Sequence, residues 1–242
     1  MSVARVPPAR PGGRHLLRSS GLADSIVADA GVRSGDLVVD VGAGSGMLTR
    51  SLLAAGARVL AVEPDRRLAR RLRRAASGAR VVEAEARAVA WPCEPFKVVA
   101  NLPFGHATEI CRALLSDPRP QLVSADLIVE WGFALKRARL WPSTAQTVLW
   151  SAWYELTVVR RLEPDAFVPA PPVAAGVLRA RRRAVPLVRP EDAAAFERFV
   201  RRGFARSPRA RERDVHAWAR AFAGSSGGVR TVPSMTRRGR AR

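Results

Sequence analysis

A short apolar segment, residues 37–41, runs directly into three alternating glycines, Gly42, Gly44 and Gly46. Because glycine lacks a Cβ, the backbone can turn tightly at these positions and come close to a ligand. Residues 47–55 then have the pattern of a helix. A strand, a glycine turn and a helix in this order form the first unit of a parallel α/β sheet, in which ligands bind beyond the carboxyl ends of the strands.

The same alternation of strand and helix patterns continues past residue 120. It predicts an α/β fold built on a doubly wound parallel sheet. The further predicted strands are residues 58–62, 80–82, 96–100 and 124–129, and the further predicted helices are residues 68–76 and 107–115.

Basic residues outnumber acidic residues by 41 to 21, which gives the chain a formal net charge of +20. This charge predicts strong, salt-sensitive attraction to a polyanion. Lysine occurs only at Lys97 and Lys136, and the arginines that supply the rest suit phosphate contacts and stacking on bases. A GC-rich genome would explain arginine over lysine but not the excess over acidic residues. We therefore favour a nucleic acid over an anionic membrane surface as the partner.

After Pro172 the strand patterns stop, and aromatic residues recur at helical spacing. We interpret these aromatic residues as the core of a small C-terminal helical domain and not as a base-stacking platform. The change of pattern predicts a sheet domain at residues 14–175 and a helical RNA-binding domain at residues 176–223. We expect the basic tails at residues 1–13 and 224–242 to be disordered, with a role either in solubility or in the capture of RNA. The residues at helical spacing are Phe196, Phe199, Val200, Phe204, Val215, Trp218 and Phe222.

The two cysteines, Cys93 and Cys111, lack metal-ligand spacing and suit a reducing compartment. The sequence has no apolar run of membrane-spanning length, and its first residues lack the apolar block of a signal peptide. We therefore expect a cytoplasmic protein with no metal and no membrane partner.

Acidic residues follow two neighbouring predicted strands. Glu63, with Pro64 beside it, can accept hydrogen bonds from both ribose hydroxyls of a nucleotide. Glu85, with Ala86 beside it, can accept an adenine amine, although Glu83 competes for this role. Together these positions predict a nucleoside-containing cofactor.

The spacing of the glycines indicates which cofactor this is. A dinucleotide-binding loop would place its third glycine where this chain has Met47. The loop therefore favours the methionine moiety of S-adenosyl-L-methionine over a pyrophosphate, and we expect its three glycines to bind that cofactor.

The tetrapeptide Asn101-Leu102-Pro103-Phe104 directly follows a predicted buried strand. An adenine N6 is a poor nucleophile because its lone pair is delocalised into the ring. The Asn101 side-chain oxygen and the Leu102 carbonyl can each accept one N6 hydrogen, which would draw the nitrogen toward a tetrahedral geometry. Pro103 stiffens the loop, and Phe104 offers a face for the target base. We therefore expect a catalytic site for methylation of an amine.

In this order, the glycine loop, Glu63 and the tetrapeptide resemble the rRNA adenine N6-methyltransferases, and the resemblance covers roughly residues 14–206. It implies a Rossmann-like class I methyltransferase sheet. It also implies that His15 and Leu17, in the segment before the first helix, contact the cofactor. Phe167, in a Phe-Val-Pro-Ala-Pro-Pro-Val segment, would help to clamp the target adenine.

Residues 130–137 and 150–155 resemble actinobacterial Erm proteins more than the housekeeping branch, which dimethylates adenines of the small-subunit rRNA. This resemblance implies methylation of one adenine in large-subunit 23S rRNA, free or in an immature large subunit. It also implies resistance to macrolide, lincosamide and streptogramin B antibiotics. The basic residues expected to contact the RNA lie near the carboxyl ends of the strands and are Arg112, Lys136, Arg137 and Arg139.

Three residues depart from the pattern of the family. His15 replaces the usual asparagine, Glu85 stands where aspartate is typical, and Phe104 replaces the commoner tyrosine. The first two put the cofactor contacts there in doubt, and the third keeps stacking but loses a hydroxyl.

Three alternative functions stay open. The chain could be a small-subunit 16S rRNA adenine dimethyltransferase, a non-catalytic RNA-binding or assembly factor, or a small-molecule methyltransferase. The net charge of +20 disfavours the last of these, and the intact Asn101, Phe104 and Glu63 disfavour the second. We expect a monomer.

Overall fold

The structure is a computed structural model that describes residues 15–225. The tail predicted at residues 1–13 and residues 226–242 of the C-terminal tail lie outside the described residues. Gly224 and Ser225, which were assigned to that tail, instead end a helix, Val215–Ser225. No helix in the described part of the chain is long and apolar enough to cross a membrane.

Between residues 15 and 225 the chain forms nine strands and eight helices, with short 3₁₀ turns between them. The strands are β1 (Leu16–Leu17), β2 (Leu37–Val41), β3 (Arg58–Val62), β4 (Arg80–Val82), β5 (Phe96–Asn101), β6 (Leu122–Glu130), β7 (Tyr154–Leu162), β8 (Phe167–Val168) and β9 (Ala175–Arg182). The helices are α1 (Ser20–Asp29), α2 (Met47–Ala54), α3 (Arg66–Ala75), α4 (Ala107–Leu115), α5 (Trp131–Arg137), α6 (Ala145–Trp153), α7 (Ala193–Arg206) and α8 (Val215–Ser225). The strands and helices predicted up to residue 130 are confirmed.

Seven strands form one sheet in the order β4-β3-β2-β5-β6-β9-β7. β2 to β6 pair in parallel, as predicted, but β9 runs antiparallel to both of its neighbours, β6 and β7. The sheet is therefore mixed and not wholly parallel. After β2 the chain builds outward through β3 and β4, and then returns to the other side of β2 with β5. This reversal creates a crevice at the carboxyl ends of β2 and β5, where ligands bind in sheets of this kind.

The predicted domain boundary at residue 175 is wrong, because it falls at the start of a sheet strand. β9 pairs with strands on both sides, and its Val177, Leu178 and Ala180 are buried. The sheet therefore continues to Arg182, and the helical segment begins beyond it with α7 at Ala193.

Side chains alternate between two core layers along the central strand β2, since successive residues of a strand point to opposite faces. Val38 packs in the layer that contains buried residues of α1 and α2. Val39 and Val41 pack in the other layer, with buried residues of α4 and α6. Helices thus cover both faces of the sheet, and its strand ends form the open edge.

The C-terminal helices pack on α6 through aromatic side chains. Trp153 of α6 meets Phe196 of α7 edge-on, with ring centroids 6.2 Å apart. Trp218 of α8 is 1% exposed and stacks on Phe204 at 5.4 Å. The prediction that these aromatic residues form a core is confirmed.

Asp40 joins β2 to α2 in the interior of the sheet domain. Its side chain is buried, and Thr49 Oγ1 donates a hydrogen bond of 2.6 Å to its Oδ2. Burial raises the pKa of Asp40 to about 7, although the hydrogen bond from Thr49 opposes the shift; the nearby charge of Glu63 adds to it. The carboxyl of Asp40 therefore stays protonated to a higher pH in the folded chain than in the unfolded chain.

Gly203 lies against Trp218 and gives a first test of this packing. A Cβ at Gly203 would lie 2.3 Å from a Trp218 ring atom, whereas a Cβ at Gly21 in α1 would have no neighbour within 4 Å. We expect Gly203→Ala to lower the free energy of unfolding by about 1–3 kcal/mol. Gly21→Ala is the matched control and should stabilise α1 slightly. Urea unfolding of both variants measures the difference, and equal stabilities would contradict the described packing of α8.

Asp40→Asn gives a second test, because it keeps the shape of the side chain and removes its titration. The raised pKa stabilises the folded state fully below the unfolded value of 3.8, and this contribution is lost as the pH rises through about 7. Relative to the variant, the wild type should lose up to about 4 kcal/mol of unfolding free energy over that range. Urea unfolding of both proteins at a series of pH values measures this. A difference that does not change with pH would show that Asp40 does not titrate in this way.

Candidate active site

A cavity of about 380 Å³ opens at the carboxyl ends of β2, β3 and β5, within the size range of small-molecule sites. It brings together most of the residues predicted to bind a cofactor or to act in catalysis. The predicted residues that line it are His15, Leu17, Gly42, Pro64, Glu85, Ala86, Asn101, Leu102 and Pro103. Glu83, the competitor of Glu85, does not line it.

All three glycines of the loop between β2 and α2 have positive φ angles, of 73°, 56° and 78°. Gly42 lines the cavity, whereas Gly44 and Gly46 do not, and Ala43 and Ser45 line it in their place. A Cβ at Gly46 would lie 2.2 Å from Leu72 of α3. Gly46 is therefore required for close packing of the loop on α3. In this structure Gly44 and Gly46 determine the conformation of the loop without lining the cavity.

Glu63 lies beneath the glycine loop. Its side chain is fully buried; Gly44 N donates to Oε2 at 2.8 Å and Asp65 N donates to Oε1 at 2.9 Å. Its neighbours Val62 and Pro64 line the cavity, and Glu63 itself does not. The carboxylate thus fixes the loop in this structure, and its contact with a ribose stays a prediction.

Asn101 ends β5 with its side-chain amide at the cavity. Its Nδ2 donates to the carbonyl oxygen of His15 at 2.6 Å. Its Oδ1 is buried and finds no hydrogen-bond partner in residues 15–225. A carbonyl oxygen can only accept, so the hydrogen bond to His15 leaves Oδ1 as a free acceptor beside the cavity.

The residues after Asn101 are held by the neighbouring strand and by a turn. Leu102 N donates to the carbonyl of Ile128 in β6 at 3.0 Å. Pro103 then precedes a 3₁₀ turn, Phe104–His106, that leads into α4. The carbonyl end of β5 is therefore fixed on one side by β6 and on the other by this turn.

Phe104 and Phe167 form an aromatic contact next to the cavity without lining it. Their rings meet edge-on at 6.4 Å, and the His15 ring lies 5.3 Å from Phe104. Phe104 is half-buried, but Phe167 is fully buried in the core. The predicted clamp is therefore not formed in this structure, because core packing covers the ring of Phe167 and leaves it supporting Phe104 from behind.

Strand β1 pairs with β8 and holds the N-terminal wall of the cavity. Leu17 lies opposite Phe167, and His15 Nδ1 hydrogen-bonds to the Pro169 carbonyl at 2.8 Å. Arg18 Nε also donates to the Asp165 carbonyl at 2.7 Å. These contacts fix the carbonyl that orients Asn101.

Several wall residues were not singled out from the sequence. Leu16 and Met47 are direct neighbours of the predicted motifs, so adjacency could have found them. His106 and Glu109, 3.6 Å apart, lie at the start of α4, where no local pattern distinguishes them. The wall residues that were not predicted as part of the site are Leu16, Asp40, Val41, Ala43, Ser45, Met47, Leu48, Val62, Arg87, His106, Glu109 and Ile110.

Of the four basic residues predicted to contact RNA, three are exposed and one is not. Arg112, Lys136 and Arg139 are exposed. Arg137 is 7% exposed and donates to the hydroxyls of Thr144 and Thr147 at 2.9 and 3.1 Å. Its prediction as an RNA contact is wrong, because its guanidinium is used inside the protein.

The environment of Arg137 confirms this internal role. The guanidinium lies over the Phe133 and Trp150 rings, at 4.8 and 5.0 Å from their centroids. Burial lowers the pKa of Arg137 below its ordinary value. The side chain therefore stabilises the junction between α5 and α6.

Comparisons with known proteins show the family to which the chain belongs. The model of the family Ribosomal RNA adenine dimethylase matches residues 12–213. The mycinamicin-resistance protein MyrB of Micromonospora griseorubida is 34% identical, over 86% of this chain and 71% of its own length. An rRNA adenine N-6-methyltransferase of Corynebacterium diphtheriae is 33% identical, over 78% of this chain and 74% of its own.

A solved structure, that of the 23S rRNA methyltransferase ErmE, superposes with a TM-score of 0.72 and 25% identity. The match covers 86% of this chain and 98% of that one, so the likeness extends beyond the sheet to the C-terminal helices. With the family model spanning most of its length and two relatives above 30% identity, this chain belongs to the ribosomal RNA adenine dimethylase family, the rRNA adenine N6-methyltransferases.

Proposed function

We propose that this chain transfers a methyl group from S-adenosyl-L-methionine to the N6 amine of an adenine in 23S rRNA, and so confers resistance to macrolide, lincosamide and streptogramin B antibiotics. The observation that carries the proposal is the Asn101 Oδ1, a buried acceptor beside the cavity with no partner in the described chain. Such an acceptor lacks a hydrogen-bond donor, which the amine of the proposed substrate would supply. The name of one similar protein, a 23S rRNA methyltransferase, supports the choice of subunit, and the name of another, a mycinamicin-resistance protein, supports the proposed resistance.

The cavity fits the proposed cofactor in size and in the chemistry of its wall. When bound, S-adenosyl-L-methionine supplies a methyl group on a positively charged sulfonium. The backbone at Gly42 allows close approach without a Cβ, and Pro64 and Ala86 offer apolar contacts. The Glu85 carboxylate, which lines the cavity, would accept an adenine amine. His15 and Leu17 would close the opposite wall.

The catalytic residues act on the amine of the target base. Asn101 Oδ1 and the Leu102 carbonyl would each accept one amine hydrogen, which localises the nitrogen lone pair. Pro103 carries no N–H, so it offers no backbone donor at this point. The half-buried Phe104 would stack on the base, a contact worth roughly 1–3 kcal/mol. The methylated nitrogen would be positively charged and would release its proton to water after transfer, so no strong base is required.

Exposed cations near the cavity would hold the RNA by its phosphates. Arg112, Lys136 and Arg139 are exposed, and so are the arginines of α3. The net charge of +20 supports a large phosphate contact surface. The arginine-rich helix α7, with Arg220 of α8, would extend this surface as part of the helical RNA-binding domain.

Mapping of the modified nucleotide tests the proposed function against its rivals. We expect a methylated adenine in 23S rRNA from cells that express the chain, detected by mass spectrometry of nuclease fragments. Methylation of 16S rRNA would instead identify a small-subunit dimethyltransferase. No methylation, together with no binding of S-adenosyl-L-methionine by calorimetry, would identify a non-catalytic RNA-binding factor.

Asn101→Ala tests the proposed catalytic role. The variant removes the acceptor for the amine hydrogen, and we expect turnover to fall by at least about 100-fold, in line with the loss of other positioned hydrogen-bonding groups in active sites. Affinity for S-adenosyl-L-methionine should stay within a few-fold of wild type. Single-turnover methylation and calorimetry measure the two effects, and wild-type turnover by Asn101→Ala would refute the mechanism.

A further inference from the structure

The loop between α5 and α6, residues 138–143, carries two adjacent apolar side chains that are unusually exposed. Leu140 is 68% and Trp141 59% exposed, the highest values among the large apolar residues of the described chain. Leu135 on α5, 42% exposed, is close in sequence. Tryptophan is buried in most proteins and is enriched where one molecule binds another. The pair therefore indicates a contact surface.

The base of this loop is fixed from inside. Arg137 precedes the loop and donates to Thr144, which caps α6 directly after the loop, and to Thr147 one turn further. Pro142, next to Trp141, is buried. With both ends anchored and Pro142 inserted, the loop presents Trp141 to solvent at little further entropic cost on binding.

The charges around the loop select the chemistry of the partner. Lys136 and Arg139 are exposed, and residues 131–144 contain no acidic residue. Arg112 on α4 is also exposed. Exposed cations close in sequence to an exposed aromatic ring are the combination that binds single-stranded nucleic acid, with bases on the ring and phosphates on the cations. We call Lys136, Arg139, Leu140 and Trp141 the Trp141 platform.

Helix α5 leads from the strand beside the catalytic site to the Trp141 platform. α5 begins directly after β6, and Ile128 of β6 pairs with Asn101. A seven-residue helix such as α5 is only about 10 Å long. One RNA strand can therefore reach from the cavity to the loop.

We propose that Trp141 stacks on an unpaired base of the same RNA strand that carries the target adenine, while Lys136 and Arg139 bind the adjacent phosphates. The inference rests on the proposed function, since it assumes that the substrate is RNA. It adds a second base-binding point outside the cavity. This point would favour adenines that lie in unpaired segments over those in continuous duplex.

The test compares Trp141→Ala with Trp141→Phe in the full chain. The RNA is an in vitro transcribed 23S rRNA fragment, and its dissociation constant is measured at several salt concentrations. We expect Trp141→Ala to weaken binding by roughly 10- to 100-fold and Trp141→Phe to recover most of the loss. The dependence on salt should not change, because no charge is removed. Val185→Ala, at a residue that is 57% exposed, is the matched control and should bind like wild type.

Arg139→Ala separates stacking from charge on the same platform. This variant should weaken binding and reduce the salt slope by about one phosphate contact. Thermal unfolding and affinity for S-adenosyl-L-methionine should match wild type for all four variants. A Trp141→Ala protein that binds the RNA as tightly as wild type would overturn the proposal. Failure of phenylalanine to rescue binding would also overturn it.

The readout separates this inference from the proposed function. Stacking is measured as a ratio of RNA affinities, whereas the proposed function is measured by methylation of rRNA by the wild type. If the wild type binds RNA through Trp141 but methylates no 23S rRNA, the proposed function is refuted and the stacking inference is not. If Trp141→Ala loses affinity for ribosomal particles that contain protein but not for naked RNA, the partner is a protein and the stacking proposal is wrong.

Discussion

The hydrogen bond from Asn101 Nδ2 to the His15 carbonyl, 2.6 Å long, determines which end of the amide is available at the cavity. Because the carbonyl can only accept, the nitrogen is committed to it and Oδ1 remains an acceptor. A buried acceptor without a partner costs about 1–3 kcal/mol of stability. This acceptor belongs to a residue that lines the cavity, where the proposed amine would supply the missing hydrogen.

His15 is itself held by a long-range contact, and this makes the site depend on distant parts of the chain. Its ring bonds to the Pro169 carbonyl, and the next residues pair with β8 through Leu17 and Phe167. The same pairing places Phe167 behind Phe104. One two-stranded pairing therefore sets the Asn101 amide, the support of the stacking ring and one wall of the cavity together.

The sequence predicted those parts of the site that local pattern controls. The glycine loop and Asn101 follow apolar strands, and topology brings the ends of such strands to one crevice on either side of the reversal between β2 and β5. Local pattern could not predict the features that depend on tertiary packing. β7 and β9 were missed as strands, and Phe167 lies in the core in place of the cavity wall. Glu63 was placed at the right strand end, but only the fold shows that its oxygens bond to backbone amides behind the loop.

The same limit applies to charge, and Arg137 and Arg139 show why. Both contribute equally to the net charge, yet Arg137 ends α5 facing inward and Arg139 lies beyond the helix, exposed. Burial makes Arg137 costly, and the hydrogen bonds from its Nη1 to Thr144 and Thr147, with the two aromatic rings, offset part of that cost, while its buried Nε has no partner in residues 15–225. The buried cation thereby fixes the loop that presents its exposed neighbour and Trp141. Any effect of Arg137 on RNA would thus be transmitted through the loop, because its guanidinium has no surface to offer a phosphate.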